Sequence, residues 1–194
     1  MTDPRESKGP SQFTTRVNSQ AGSILTLDDP GDWERATRGK IAEHPTGAIA
    51  GPLGGIAWNT ADFDFMREQE QSPDSVHPSL WRHGRLNAVH GLFEVAPGVW
   101  QCRGYDLSNI TFIKGKNGWI VIDPLTTAVT AAACLELANQ HLGARPVTAV
   151  LYTHSHADHY GGILGVTTRE DVEAGNVRIL APEGFLREAV SENL

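Results

Sequence analysis

Between Pro146 and Gly162 a short apolar, β-branched run, Val147-Thr148-Ala149-Val150-Leu151-Tyr152, leads directly into Thr153-His154-Ser155-His156-Ala157-Asp158-His159-Tyr160-Gly161-Gly162. A run of this length bounded by Pro and Gly reads as a buried strand, and the Gly pair lets the chain turn closely behind it. The His/Asp cluster therefore sits on the exit loop of a strand, at a sheet edge. Three imidazoles and one carboxylate within residues 154–159 suit a borderline-soft divalent metal, because neutral imidazole nitrogen and carboxylate oxygen are both good zinc ligands. In extended backbone alternate side chains share a side, so His154 and His156 are expected to converge on one ion, and Asp158 and His159, beyond the turn, on a second. The plain alternative is a solvated polar loop. The density of ligands and the buried strand before it weigh against that.

Composition bounds the rest. With 194 residues and 40% hydrophobic content, the chain is long enough for one domain with its own core. A formal charge of −7 argues against a nucleic-acid surface, so a metallonuclease is the weaker reading of the histidine cluster. Cys102 and Cys134, the two cysteines, cannot make a disulfide framework and read as buried free thiols. Met1-Thr2-Asp3-Pro4-Arg5-Glu6 has no apolar leader core, and no uncharged apolar run approaches the ~20 residues of a membrane span. The expectation is a cytoplasmic protein without a membrane span.

Residues 1–27, rich in Ser, Thr, Gln and Gly, read as a mobile arm. Residues 28–90 read as an irregular and helical segment packing on the domain, with a short helix in 32–42, an irregular Gly-rich stretch at 47–55 and a helix from Pro78 to about Ala88. The glycines of 47–55 lack the following Gly-Lys-Ser/Thr of a phosphate cradle. His83 and His90 read as structural or solvent-facing before they read as ligands, and Arg82 and Arg85 as helix-surface salt bridges before binders of an anionic group. Residues 91–194 read as the metal-bearing domain. Four short strands form an antiparallel meander up to Ile122, and a helix over 127–142 capped by Thr126 or Thr127 returns the chain to the strand before Thr153. Strand, helix, strand in that order requires a crossover and a mixed sheet.

Residues 153–159 resemble the second motif of the metallo-β-lactamase superfamily. Pro78-Ser79-Leu80-Trp81-Arg82, Arg103-Gly104-Tyr105-Asp106-Leu107-Ser108-Asn109-Ile110-Thr111-Phe112, Gly118-Trp119-Ile120-Val121-Ile122-Asp123-Pro124-Leu125-Thr126 and Ala181-Pro182-Glu183-Gly184-Phe185 are similar to the zinc-dependent alkylsulfatases of that superfamily. The resemblance spans residues 28–194. It implies an α/β (α+β) fold, the αββα sandwich, with only its N-terminal half present. It also implies two Zn2+ ions held by His154, His156, Asp158 and His159, with Asp158 catalytically essential as a ligand of the second ion. Asp123, after the strand at 119–122, would stand behind a ligand histidine; a plain turn aspartate has equal claim. The implied substrate is an alkyl sulfate, whose anionic group two divalent ions can hold whatever the distant surface charge. The implied complete protein is a homodimer carrying further glutamate and histidine ligands downstream. Two classes of function follow: a binuclear zinc sulfuric ester hydrolase of which this chain is a part, or a truncated, non-catalytic zinc-binding fragment. Another hydrolase of the superfamily is the remaining alternative.

Overall fold

The computed structural model describes residues 8–193, which divide into two compact units. The first, residues 1–36 and 63–88, is helical in its described part. Its helices are α1 (Gln12–Ile24), α2 (Pro30–Thr37), α3 (Asp64–Glu68) and α4 (Pro78–Asn87). Residues 12–24 thus form a helix where composition suggests an aperiodic arm. Ser11 caps it, its Oγ accepting from Thr14 N at 3.1 Å, and no glycine or proline interrupts residues 12–21. Pro78 occupies the first turn of α4, where its missing N–H costs nothing. Buried Trp81 donates its indole N–H to Gln69 O at 3.2 Å, and its ring lies 5.9 Å from Phe65.

The arginines of α4 are structural. Arg82 bonds the carbonyls of Leu27 and Asp29 and pairs with Asp32 at 2.7 Å, while Arg85 bonds Met66 O and stacks on Trp33 at 5.0 Å. Hydrogen bonds from Arg35 and then Arg82 hold the Asp32 carboxyl below its ordinary range. His83 shares a hydrogen bond of 3.0 Å with Asn87.

The second unit, residues 37–62 and 89–194, carries the sheet. In chain order it contains β1 (Lys40–Ala42), β2 (Ala48–Ala50), β3 (Ile56–Asn59), β4 (Gly91–Ala96), β5 (Val99–Arg103), β6 (Ile110–Lys114), β7 (Trp119–Ile122), α5 (Ala128–Leu142), β8 (Val147–Leu151), α6 (Arg169–Glu173), β9 (Arg178–Leu180) and α7 (Phe185–Asn193). Seven strands pair in the order β1-β4-β5-β6-β7-β8-β9, and β2 and β3 form a separate hairpin. The Gly-rich stretch at 47–55 is therefore not irregular. Ala-Ile-Ala and Ile-Ala-Trp-Asn alternate as strands on either side of Gly54 and Gly55, whose φ values of +86° and +81° supply the turn. Ile49 of this hairpin joins the core.

Strands β4 to β7 are the expected antiparallel meander, and β7 pairs in parallel with β8 through the α5 crossover. Alternation decides the buried face: Ile110 and Phe112 of β6 and Trp119 and Val121 of β7 are fully buried, and their neighbours are half-exposed. Helix α5 covers that face, with Thr127 as its cap and Gly143, φ +91°, as its stop. The Trp119 indole donates to Asn139 Oδ1 at 2.8 Å, and full burial of an aromatic that size contributes roughly 4–6 kcal/mol. Cys102 and Cys134 are free and buried at the same interface. One consequence matters for chemistry. Parallel pairing brings the C-terminal ends of β7 and β8 to one sheet edge, where Asp123 N bonds Leu151 O at 3.0 Å.

Candidate metal centre

At that edge β7 ends in Asp123 and β8 runs on into Thr153. Asp123 is 7% exposed, and its carboxylate is fully engaged. Oδ1 accepts from Thr153 N at 2.8 Å, and Oδ2 accepts from Thr153 Oγ1 at 2.6 Å and lies 2.9 Å from His159 Nδ1. A carboxylate without a proton can only accept, so Nδ1 of His159 carries a hydrogen, and in the neutral ring Nε2 is the nitrogen with the lone pair. The same logic extends one residue. Thr153 Oγ1 gives its hydrogen to Asp123, so at 2.9 Å it accepts from His154 Nδ1, and in the neutral ring Nε2 is then the acceptor nitrogen. One buried carboxylate thus orients two imidazoles, one directly and one through a hydroxyl.

The backbone around Asp123 is strained. Asp123 has φ +53° and Leu125 φ +64°, a conformation rare for any residue with a branched side chain and costing on the order of 1–3 kcal/mol each. The metal loop is fitted tightly against this segment. Gly162 N donates to Leu125 O at 2.8 Å, and a Cβ on Gly162 would lie 2.1 Å from Pro124 O and 2.6 Å from Thr127 O. Both obstacles are backbone. Gly162→Ala should therefore lower stability by about 2–3 kcal/mol, read as a shifted urea midpoint with an unchanged slope; a midpoint equal to wild type would show that the loop is not packed this way.

The four ligand candidates lie together. Ring centroids of His154 and His159 are 4.1 Å apart, those of His154 and His156 4.5 Å, and Asp158 Oδ2 is 3.4 Å from His159 Nε2. Two donors each bound to a tetrahedral zinc at 2.0–2.1 Å are about 3.3 Å apart, so the Asp158 and His159 pair has the separation that one ion requires. His156 is placed differently. Its Nε2 lies 3.1 Å from Glu192 Oε1 on α7, and Ser155 Oγ donates to the same carboxylate at 3.2 Å. Among the described residues no three His, Cys, Asp or Glu side chains form a group ready to hold an ion. The donor set of three imidazoles and a carboxylate nonetheless has zinc chemistry, and two of its imidazoles already present Nε2.

Aromatic rings pack beside the loop. Tyr152 stacks on Phe185, the first residue of α7, at 5.2 Å, and Tyr160 lies 5.9 Å and 5.3 Å from the two. Burial pushes the Tyr152 phenol up to about 12, so it stays neutral and offers no base near neutrality. His90 is buried against Tyr105, edge to face at 5.8 Å, with Glu43 at 3.7 Å. It serves the core.

Two participants are absent from the sequence reading. Asp106 is buried and accepts from Leu107 N, Thr126 N, Thr126 Oγ1 and Thr130 Oγ1, tying residues 104–109 to the start of α5. Its only local signal is an acidic residue inside a turn. Glu192 carries no sequence signal.

Residues 103–193 match the family model of the metallo-beta-lactamase superfamily. The chain is 45% identical over 181 residues to a linear primary-alkylsulfatase of Pseudomonas sp., covering 93% of this chain and 27% of that protein. It is 43% identical to an alkyl/aryl-sulfatase of Saccharomyces cerevisiae, covering 93% of this chain and 28% of the relative. Its backbone superimposes on the structure of a stereoselective inverting sec-alkylsulfatase from Pseudomonas sp. with a TM-score of 0.90 at 43% identity, covering 97% of this chain and 30% of that one. The chain thus spans under a third of the length of these relatives. Residues 103–193 thus match the metallo-beta-lactamase superfamily, and over nearly its whole length the chain is similar to a part of the alkylsulfatases.

Proposed function

We propose that this chain contributes the first half of a binuclear zinc site that hydrolyses alkyl sulfate esters to alcohol and inorganic sulfate. The observation that carries the reading is the Asp123 relay, which engages Nδ1 of His154 and of His159 and turns their Nε2 atoms away from it, beside the Asp158 carboxylate. The alkylsulfatase similarity supplies the substrate class. His154 and His156 would hold one ion, and Asp158 and His159 the other. When bound, zinc supplies Lewis-acid stabilisation of the anionic sulfate group and acidifies water. The residues of this chain do the rest: Asp123 fixes the tautomer and ring orientation of two ligands, and the Tyr152, Tyr160 and Phe185 rings exclude water from one flank of the loop. Among the described residues no helix is long and apolar enough to cross a membrane. The complete protein would act as a homodimer on a cytoplasmic substrate.

The test has two parts. In the 194-residue chain, the His154→Ala/His156→Ala double variant should lose whatever stoichiometric zinc the wild type holds, measured by atomic emission after desalting. Unchanged zinc content would remove these histidines from the site. In a polypeptide joining this chain to the remaining length of its relatives, inorganic sulfate should appear from dodecyl sulfate by ion chromatography, stop with chelator and return with zinc. Hydrolysis of a lactam, thioester or phosphodiester with no sulfate released would replace the substrate class while leaving the metal centre. A second reading, a zinc-binding fragment without turnover of its own, is favoured by one observation, the lack of a three-donor group among the described residues. Sulfate release by the isolated chain would exclude it.

A further inference from the structure

The turn that carries Asp158 and His159 is three residues long, and its backbone bonds end on the carbonyls of His156 and Ala157. The carbonyl of Asp158 instead accepts a hydrogen bond from Ser108 Oγ, fifty residues earlier in sequence. Ser108 lies on residues 104–109, between β5 and β6, and this loop is pinned at several points. At its base Trp58 Nε1 donates to Gly104 O at 2.8 Å, and Tyr105 Oη accepts from His44 N at 2.7 Å. At its centre the Asp106 carboxylate accepts from Leu107 N at 2.7 Å, Thr126 Oγ1 at 2.6 Å and Thr126 N at 3.3 Å, and also from Thr130 Oγ1. Charge-assisted bonds to a buried carboxylate are stronger than neutral ones, and removing it would take this acceptor from Leu107 N, Thr126 N and Thr126 Oγ1, while Thr130 Oγ1 keeps Thr127 O. Asp106 therefore ties the Ser108 loop to residues 126–130, directly after the strained segment that begins at Asp123. Ser108 then reaches from this anchored loop to the metal loop.

We propose that Ser108, anchored through Asp106, is a positioning residue for Asp158 and His159: its bond to the Asp158 carbonyl sets the peptide from which both side chains leave. The proposal rests on the reading of those two residues as ligands of one ion. Asp123 fixes how the His159 ring is turned but makes no bond to the main chain at Asp158. Metal sites tolerate only about half an ångström of ligand misplacement, so a bond at the root of the turn controls affinity without touching the ion.

The experiment compares wild type, Ser108→Ala, Ser108→Thr and the His154→Ala/His156→Ala variant of this chain. Zinc affinity is measured by competition with a chromophoric chelator, and amide hydrogen exchange is followed by mass spectrometry over residues 154–162 and over β4 to β8. Ser108→Ala should weaken zinc by about 10–100-fold and speed exchange in the loop by about fivefold, the equivalent of one hydrogen bond, with exchange in the strands unchanged. Ser108→Thr, which keeps the hydroxyl, should restore both. Wild-type zinc affinity in Ser108→Ala, with affinity lost in the double histidine variant, overturns the positioning role; so does faster loop exchange without a change in affinity, which leaves Ser108 a merely structural contact. Equal zinc affinity in wild type and the double histidine variant overturns the metal reading itself, and the proposal with it.

Discussion

Asp158→Ala, made in the zinc-loaded polypeptide of full alkylsulfatase length, should cut sulfate release from dodecyl sulfate by about a thousandfold, because a catalytic metal contributes several kcal/mol to stabilising developing charge and each 1.36 kcal/mol is a factor of ten. Metal content should fall by about one ion per chain. The fold should survive. The side chain of Asp158 contacts His159 at 3.4 Å, but the loop is held by its main chain, through Ser108 to the Asp158 carbonyl and through Gly162 to Leu125. Truncation therefore removes a proposed ligand and leaves the turn in place. Near-wild-type turnover at full metal content would take Asp158 out of the site.

The second large effect is expected from Asp123→Ala, measured on the isolated chain. The substitution strands three donors, Thr153 N, Thr153 Oγ1 and His159 Nδ1, at a carboxylate site that is 7% exposed. An unpartnered buried donor costs about 1–3 kcal/mol and these three are part-buried, so a total of about 2–3 kcal/mol is expected, with alanine also disfavoured at φ +53°. The His154 and His159 rings lose the bonds that fix their tautomers, and zinc affinity should drop by a further 10–100-fold. Asp123→Asn separates the two roles. Asparagine tolerates the left-handed backbone and can accept from Thr153, but it can present an N–H to His159 and so reverse the tautomer. The asparagine variant should melt close to wild type and bind zinc poorly. If Asp123→Ala unfolds at the wild-type urea concentration, the relay carries no stability and the aspartate is an ordinary turn residue.

The parts of this molecule that were legible in sequence are those where periodicity or chemistry is local. β-rich runs between turn residues marked β4 to β7, a cap at Thr126 or Thr127 opened α5, and the density of histidines around Asp158 marked the loop. The hairpin of β2 and β3 was missed because its strands are three and four residues long and glycine dominates the window between them. Helix α1 was missed because Ser, Thr, Gln and Asn dominate it, although Phe13, Val17, Ala21 and Ile24 recur at helical spacing; none of its residues is buried. Asp106, and the role of Ser108 on a loop that could approach the pocket, were opaque for another reason. Their partners, Thr126, Thr130 and Asp158, lie 20 to 50 residues away, and no spacing rule relates a β5–β6 turn to a loop after β8. The engagement of His156 with Glu192 is likewise a tertiary fact.

The strand order β1-β4-β5-β6-β7-β8-β9 also has a kinetic side. The hairpins from β4 to β7 join neighbours in sequence through short turns, so their ends meet on the microsecond scale typical of hairpins. Pairing β8 beside β7 must wait for the α5 crossover, and parallel registry gives no reward until the whole intervening helix has docked. Asp123 and Thr153 therefore come within bonding distance only in this late step. The relay that orients the imidazoles depends on this slow pairing, so zinc capture by the refolding chain should track the slow phase and not the formation of the meander.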